Sequence, residues 1–246
     1  MELMLGARIS AACHACTTMG IALLRSLLVA VLVLVMPASP ALAAADAEPL
    51  EQRLAAWPSW SLPAPLPRPG QGDLIYPAWF AGRWQATNHD PSGTEPDLHY
   101  EVRFSANPQG QVVGDRAFNA AAIGQALLGE QLLQVRNDPH NPNRQLALLA
   151  GDQQLESTVV GRRTGLSSTQ CFLADELALQ VMHGPGDPRV SRVETLSRYA
   201  LVSPNRIEAE QWQASYGSPA QGLAAEARRS WRGELVLERL DQERPT

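Results

Sequence analysis

The chain has 246 residues, 45% of them hydrophobic, and its 20 basic and 25 acidic residues give a formal net charge of −5. Every basic residue is arginine, and the arginines are dispersed along the chain. This composition argues against binding to nucleic acid or to an anionic membrane surface, because both partners select a concentrated basic surface.

The first 43 residues have the pattern of a secretory signal peptide. Arg25 precedes an apolar run from Leu27 to Met36, and the small-x-small site Ala41-Leu42-Ala43 follows. The run is much shorter than the roughly 20 residues that a membrane-spanning helix needs. We therefore expect cleavage after Ala43 and export of the remainder. An uncleaved N-terminal membrane anchor is the alternative.

Cleavage would also remove two of the three cysteines. Cys13 and Cys16 have a Cys-x-x-Cys spacing that elsewhere indicates a metal or redox site, but both lie in the predicted signal. The remaining Cys171 cannot form an intramolecular disulfide. Asp175 and His183 follow it in the sequence, yet no nucleophile motif surrounds it. We interpret Cys171 as a small buried side chain.

Residues 44–72 are predicted to form a short helix and a proline-rich linker. Leu50, Leu54 and Trp57 have helical spacing, and five prolines occur from Pro58 to Pro69. A linker of this composition is extended and semi-rigid, and it cannot join a sheet. The folded domain is therefore expected at residues 73–241, with a short tail at 242–246.

From residue 73 onward, apolar side chains mostly recur at every second position, as in half-buried strands. The clearest case is residues 98–104, in which Leu98, Tyr100, Val102 and Phe104 share one face. Turn sequences separate ten such segments. The predicted strands are 82–88, 98–104, 111–118, 132–136, 144–150, 154–162, 176–183, 191–202, 206–216 and 232–240.

One helix is predicted among these strands. Residues 119–129 are rich in alanine and have larger apolar residues at helical spacing, with Asn119 as the N-cap and Gly129 just after the last turn. Short strands with one inserted helix predict a mainly β fold, an antiparallel β-barrel of roughly 8–10 strands, with a β-sandwich as the alternative.

The first predicted strand begins with Gly82-Arg83-Trp84. Glycine would let the chain bend across one end of a barrel, and the indole would close that end; an ordinary core tryptophan is the alternative. In lipocalin-like barrels, an arginine from the last strand covers this tryptophan in a cation–π contact. Three arginines around Trp231 are candidates for this role: Arg228, Arg229 and Arg232.

Several short motifs together indicate a family. They are Tyr76-Pro77, Phe80-Ala-Gly-x-Trp84, Asp115-Arg-Ala-Phe-Asn119, Asn141-Pro-Asn-Arg144, Val193-Glu194 and Gln211 to Tyr216. In these motifs, residues 76–240 resemble an uncharacterised lipocalin-like domain family of cyanobacteria and plastids. The resemblance implies a barrel protein of the thylakoid lumen or periplasm. It implies no reaction, because the family has no assigned one, and a lipophilic ligand follows only by analogy with lipocalins.

Two arginine motifs are candidate binding groups. Arg116 follows a predicted strand, and an arginine inside a barrel often holds a carboxylate through its planar fork. A salt bridge at the barrel rim is the alternative. Arg162 and Arg163 are consecutive, so one guanidinium would point inward and the other outward.

The remaining polar motifs give weaker signals. The oxygen-rich segment 137–143 lacks the glycine and glutamate of a calcium loop, so we interpret it as a hairpin closed by Asx turns. His89, Asp90 and His99 do not form a metal-ligand set. The strand carboxylates are Glu194, Glu208 and Glu210; the last two share a face with Trp212, so they would either line a cavity as an acid–base pair or face water.

The sequence thus predicts an exported, non-enzymatic, lipocalin-like monomer that binds a small lipophilic or pigment-related ligand and needs no cofactor. Trp84 would close the barrel, Arg116 and Arg162 would meet a polar head group, and Trp212 and Tyr216 would line the mouth. Structural roles are expected for Gly82, Asn119, Asn143, Arg144 and Trp231. The alternative is an assembly or stability factor that docks on a thylakoid or periplasmic membrane complex through residues 44–72.

Overall fold

The computed structural model describes residues 47–63, 66–222 and 225–240. The predicted signal peptide, with Cys13 and Cys16, and the predicted tail lie outside the described residues. The rest is mainly β: ten strands form one antiparallel sheet that curls into an open half-barrel. The predicted fold class is therefore confirmed. The sheet order, β3-β2-β1-β10-β9-β8-β7-β6-β5-β4, leaves β3 and β4 at its two edges.

The strands are β1 Gly82–His89, β2 Leu98–Ala106, β3 Val112–Gly114, β4 Leu132–Asn137, β5 Arg144–Leu149, β6 Gln153–Ser168, β7 Cys171–His183, β8 Arg189–Ser203, β9 Arg206–Tyr216 and β10 Arg229–Arg239. The α-helices of the described residues are α1 Ala47–Ala55 and α2 Arg116–Leu128. In the same part of the chain, three 3₁₀ turns cover Ala78–Phe80, Gly129–Gln131 and Pro219–Gln221. Each predicted strand has a counterpart, although β6 and β7 are longer than predicted and β3 is shorter.

Helix α2 begins four residues earlier than predicted, because its N-cap is Asp115 and not Asn119. The side chain of Asp115 accepts a hydrogen bond from the Phe118 amide at 3.2 Å, so Asp115 is the N-cap and the prediction of Asn119 was wrong. Asn119 instead lies within the helix, where its side chain accepts from Arg103 N at 2.7 Å and donates to Arg103 O at 3.0 Å. Gly129 ends the helix with a φ of 52°, as predicted.

Helix α2 connects the two edge strands and covers the open side of the half-barrel. It packs against β2 near one edge of the sheet and against β4 at the other. Gly124 allows a close approach to β4, because a Cβ atom there would lie 2.6 Å from Leu132 Cδ2. We call the sheet face that meets α2 the inner face and the opposite one the outer face. The inner face contains the main core, including Trp84, Phe104 and Phe172.

The outer face is partly covered by the N-terminal arm, which we define as residues 47–62. Leu50 and Trp60 of the arm are buried against Leu173 and Leu196 of the sheet. The proline-rich segment adds an isolated bridge at Ser61 and does not become a strand of the sheet. The N-terminal arm, which precedes the domain predicted to begin at residue 73, thus packs against the sheet of that domain. Among the described residues, no helix is long and apolar enough to cross a membrane.

Candidate functional site

One end of the inner face is closed by Trp84 and an arginine of the last strand. The indole of Trp84 is fully buried and donates to Phe80 O at 2.7 Å. The guanidinium of Arg239 lies 4.1 Å from the centre of its ring, within cation–π range. Arg239 also donates to three backbone carbonyls, those of Trp79, Ala81 and Pro204.

The predicted cation–π contact exists, but the three arginines predicted to make it were wrong. Trp84 pairs with Arg239 across β1 and β10, whereas Arg228, Arg229 and Arg232 lie at or just before the opposite end of β10. Gly82 makes the contact feasible, because it has a φ of +124° and a Cβ atom there would lie 2.7 Å from Arg239 Nη1.

Trp231 has a separate structural role. Its ring folds over Gly233 on its own strand, where an added Cβ atom would lie 2.0 Å from the indole. The indole therefore occupies the space beside a residue without a side chain.

A cavity of about 20 Å³ lies between α2 and the inner face. It is lined by Tyr100, Val102, Phe104, Tyr199, Leu235 and Leu237 of the sheet and by Asn119 and Ile123 of α2. Burial raises the pKa of Tyr199 to about 12, so this phenol is neutral. The cavity has room for about one water molecule, whereas small-molecule pockets usually exceed about 300 Å³. A small molecule can therefore enter this site only if α2 moves away from the sheet.

Arg116 and Arg162 meet on the inner face. Both are buried, and both donate to Asn143 Oδ1, Arg162 at 2.8 Å and Arg116 at 3.3 Å. Arg162 Nε lies 2.6 Å from the buried Glu176 carboxylate, and Arg116 Nε lies 3.0 Å from Asp73. Arg116 thus forms a salt bridge with an acid of the chain itself, which corresponds to the salt-bridge alternative of the sequence analysis. Each of the two arginines is therefore paired with one acidic side chain of the chain.

A second buried cluster lies on the outer face beneath the N-terminal arm. Glu194 is fully buried and accepts hydrogen bonds from Arg53 of α1, at 2.6 and 2.8 Å, and from the Tyr216 hydroxyl at 2.5 Å. The fully buried Asp175 pairs with Arg163 at 2.8 Å, so Arg162 and Arg163 point to opposite faces as predicted. Burial, together with the charge of Glu194, raises the pKa of Asp175 to about 7.

Trp212 and Tyr216 lie in this outer cluster, so the prediction that they line the mouth of the barrel was wrong. Their side chains lie on the face of β9 opposite to that of Ile207 and Ala209, which belong to the inner core. Sequence alternation could not assign the faces here, because β9 is buried on both sides around residues 211–214.

The predicted acid–base pair also fails geometrically. Glu210 shares the outer face with Trp212, as predicted, but it does not line the cavity beneath α2; it pairs with Arg198 and Arg232. Glu208 is exposed and lies 2.9 Å from Arg206.

Cys171 and His183 occupy opposite ends of β7. Twelve residues of extended chain separate them by roughly 40 Å, so they cannot act together as nucleophile and base. Cys171 itself is half-buried.

The 137–143 hairpin is closed by two Asx turns. Asp138 Oδ1 accepts from His140 N at 2.7 Å, and Asn141 Oδ1 accepts from Asn143 N at 3.0 Å. Arg144 pairs with Asp138 and with Glu156. Over residues 47–63, 66–222 and 225–240, no group of three His, Cys, Asp or Glu side chains could hold a metal ion.

A curled antiparallel sheet with one helix across its open side defines the protein as a half-barrel with an enclosed inner face. The chain belongs to the family described as Domain of unknown function (DUF6816), which matches residues 91–230, more than half of its length. No curated protein and no solved structure matches it. The predicted membership of an uncharacterised domain family is thereby confirmed, whereas the lipocalin-like character and the photosynthetic origin stay predictions.

Proposed function

We propose that this protein is a non-enzymatic binding protein that takes a small, mainly apolar ligand between α2 and the inner face of its sheet. The observation that carries the proposal is the cavity at this position, because six of its eight lining residues are aliphatic or aromatic and come from the sheet. The Trp84–Arg239 closure at one end supports the analogy with lipocalins. The analogy concerns architecture alone.

Helix α2 would act as the cover of the site. A single helix closes the open side, and its contacts with the sheet include the Asn119–Arg103 hydrogen bonds and the packing of Gly124 on Leu132. Displacing this one element would enlarge the cavity without breaking the hydrogen bonds between strands. Covers of this kind typically have the weakest attachment in a fold.

The alternative role, docking on a membrane complex through residues 44–72, has less support. Leu50, Trp60 and Arg53 are engaged with the outer face of the same chain, so the arm would have to leave the sheet to reach a partner. Export to a lumen or periplasm remains part of the proposal. It rests on the N-terminal pattern of the sequence and on the resemblance given above.

The direct test is native mass spectrometry of protein purified from its own organism, combined with quenching of tryptophan fluorescence by lipids, carotenoids and tetrapyrroles. Ile123→Phe adds bulk to the cavity from α2 and should abolish binding. Leu133→Phe is the matched control, because Leu133 is 64% exposed on β4. Recovery of the bare polypeptide alone, with no quenching by any of these compounds, would refute the proposal.

A further inference from the structure

A row of buried polar side chains crosses the inner face on three neighbouring strands. Gln145 on β5 pairs in register with Ser157 on β6, and Ser157 pairs with Gln180 on β7. Gln145 and Ser157 are 0% exposed, and Gln180 is 1% exposed. Directly opposed residues of an antiparallel sheet have Cβ atoms about 5 Å apart, so the three side chains form one continuous polar strip.

Two atoms of this strip have unused hydrogen-bonding capacity. Ser157 Oγ and Gln145 Oε1 are buried and have no hydrogen-bond partner within the part of the chain that the structure describes. Leaving a buried acceptor unpaired is unfavourable, so such groups in a native protein call for an explanation. A ligand group that donates a hydrogen bond would satisfy one of these two atoms.

Other polar residues on the inner face are paired with each other. Gln211 Nε2 donates to Ser197 Oγ at 3.2 Å, and Gln213 Nε2 donates to Thr195 Oγ1 at 3.1 Å. Ser157 and Ser197 are thus both buried serines of the inner face, but only Ser197 accepts a hydrogen bond from a neighbouring strand within the described residues. This difference provides an internal control.

The strip borders the hydrophobic cluster that contains the cavity. Val159 and Ala178 lie two residues along β6 and β7 from Ser157 and Gln180, on the same face. They belong to the same hydrophobic cluster as Ile123, which lines the cavity. An elongated ligand could therefore have its apolar part beneath α2 and its polar end at the strip.

The ionic groups of the inner face indicate which charge that polar end carries. Arg162 is paired with Glu176, and Arg116 with Asp73, so each of these guanidinium groups already faces a carboxylate of the chain. A ligand carboxylate would have to displace one of these acids. An uncharged head group requires no such exchange.

We propose, on the basis of the function proposed above, that the ligand has an uncharged head group that donates a hydrogen bond, such as a hydroxyl or an amide. Ser157 Oγ or Gln145 Oε1 accepts that hydrogen bond, and the apolar part of the ligand lies beneath α2. The ligand class is therefore a neutral amphiphile and excludes both pure hydrocarbons and fatty acids.

Three probes that each carry a chain of twelve carbon atoms separate these classes: dodecanol, dodecyl methyl ether and dodecanoate. The ether lacks the donor, and dodecanoate carries a charge. Because one neutral hydrogen bond contributes on the order of 1 kcal/mol, the full-length mature protein should bind dodecanol about five- to tenfold more tightly than the ether. Dodecanoate should also bind more weakly than dodecanol.

The serine pair then tests the assignment. Ser157→Ala should reduce the preference for dodecanol over the ether while leaving the urea midpoint unchanged or higher. Ser197→Ala should lower the urea midpoint, because it removes the hydrogen bond from Gln211 Nε2 to Ser197 Oγ, and should keep the preference. Gln145→Met, of similar size, is the second variant if Ser157→Ala does not fold.

Three results would each overturn this inference. They are equal binding of dodecanol and the ether, tighter binding of dodecanoate than of dodecanol, and a preference for dodecanol that survives both Ser157→Ala and Gln145→Met. In all of these outcomes the proposed function stands, because an apolar chain is still bound. Failure of every probe to bind, together with no copurified ligand, would instead refute the proposed function.

Discussion

Replacing Asp175 with asparagine should remove a large part of the pH dependence of the unfolding free energy. The carboxyl group lies at the centre of the outer cluster, between Arg163 of β6 and Glu194 of β8, beneath Arg53 of α1 and near Tyr216 of β9. It is fully buried, and its Oδ1 atom has no hydrogen-bond partner among the described residues. Asparagine has nearly the same shape and cannot ionise.

The magnitude follows from the pKa of Asp175, which changes from 3.8, its ordinary value, to about 7 in the folded protein. Between these two pH values the folded state holds a proton that the unfolded state has lost, so stability falls as pH rises. One proton corresponds to about 1.4 kcal/mol per pH unit, or about 4 kcal/mol over the whole interval. Above the folded pKa the contribution is constant. The fully buried Glu176, whose pKa is also raised, adds a slope of the same sign.

The assay is urea unfolding of the wild type and of Asp175→Asn at several pH values between about 4 and 8. In this interval the unfolding free energy of the wild type should fall by about 1.4 kcal/mol per pH unit more steeply than that of the variant. The unfolding free energy of the variant should therefore increase relative to the wild type as the pH rises. Asp187→Asn, in the exposed turn between β7 and β8, is the matched control and should keep the wild-type slope. An unchanged slope in Asp175→Asn would refute the reasoning.

Two further predictions concern the ends and the cover of the half-barrel. Arg239→Gln should lower the unfolding free energy by about 3 kcal/mol, because it removes a cation–π contact with Trp84 and charged hydrogen bonds to three carbonyls; an effect below about 0.5 kcal/mol would contradict the assigned role. Gly124→Ala should raise the unfolding free energy by about 1 kcal/mol, through the higher helix propensity of alanine, only when Leu132 is also truncated. In the wild-type background the new methyl group would lie 2.6 Å from Leu132 Cδ2. A double-mutant cycle with Leu132→Ala measures this coupling, and equal effects of Gly124→Ala in both backgrounds would exclude the close contact.

The sequence predicted strands best where one face of the sheet meets solvent. In β2, Tyr100, Val102 and Phe104 are buried, whereas the residues between them are more exposed, and the predicted and observed strands nearly coincide. The first five residues of β7 were missed, because Phe172 contacts the inner core and Leu173 contacts the outer one. Alternation disappears when both faces are buried.

Long-range register explains the errors in the site. Arg239 was not among the predicted partners of Trp84, because local sequence around Trp231 favoured the nearest arginines and no pattern specifies which residue of β10 lies opposite β1. In the same way, Asp73 lies 43 positions before Arg116, and Arg53 lies 141 positions before Glu194. Pairings over such distances depend on the folded path of the chain, and the residues themselves give no local signal of them.

The assignment of faces also changes which functional hypothesis the tryptophans support. With Trp212 on the inner face, β9 would have contributed an aromatic side chain to a ligand site; on the outer face it packs beneath the N-terminal arm with Leu50 and Trp60. On β9 the inner face instead presents Ile207 and Ala209, followed by Gln211 and Gln213. The inner face therefore changes from apolar to polar along this strand as well, a pattern that supports the amphiphilic ligand proposed above.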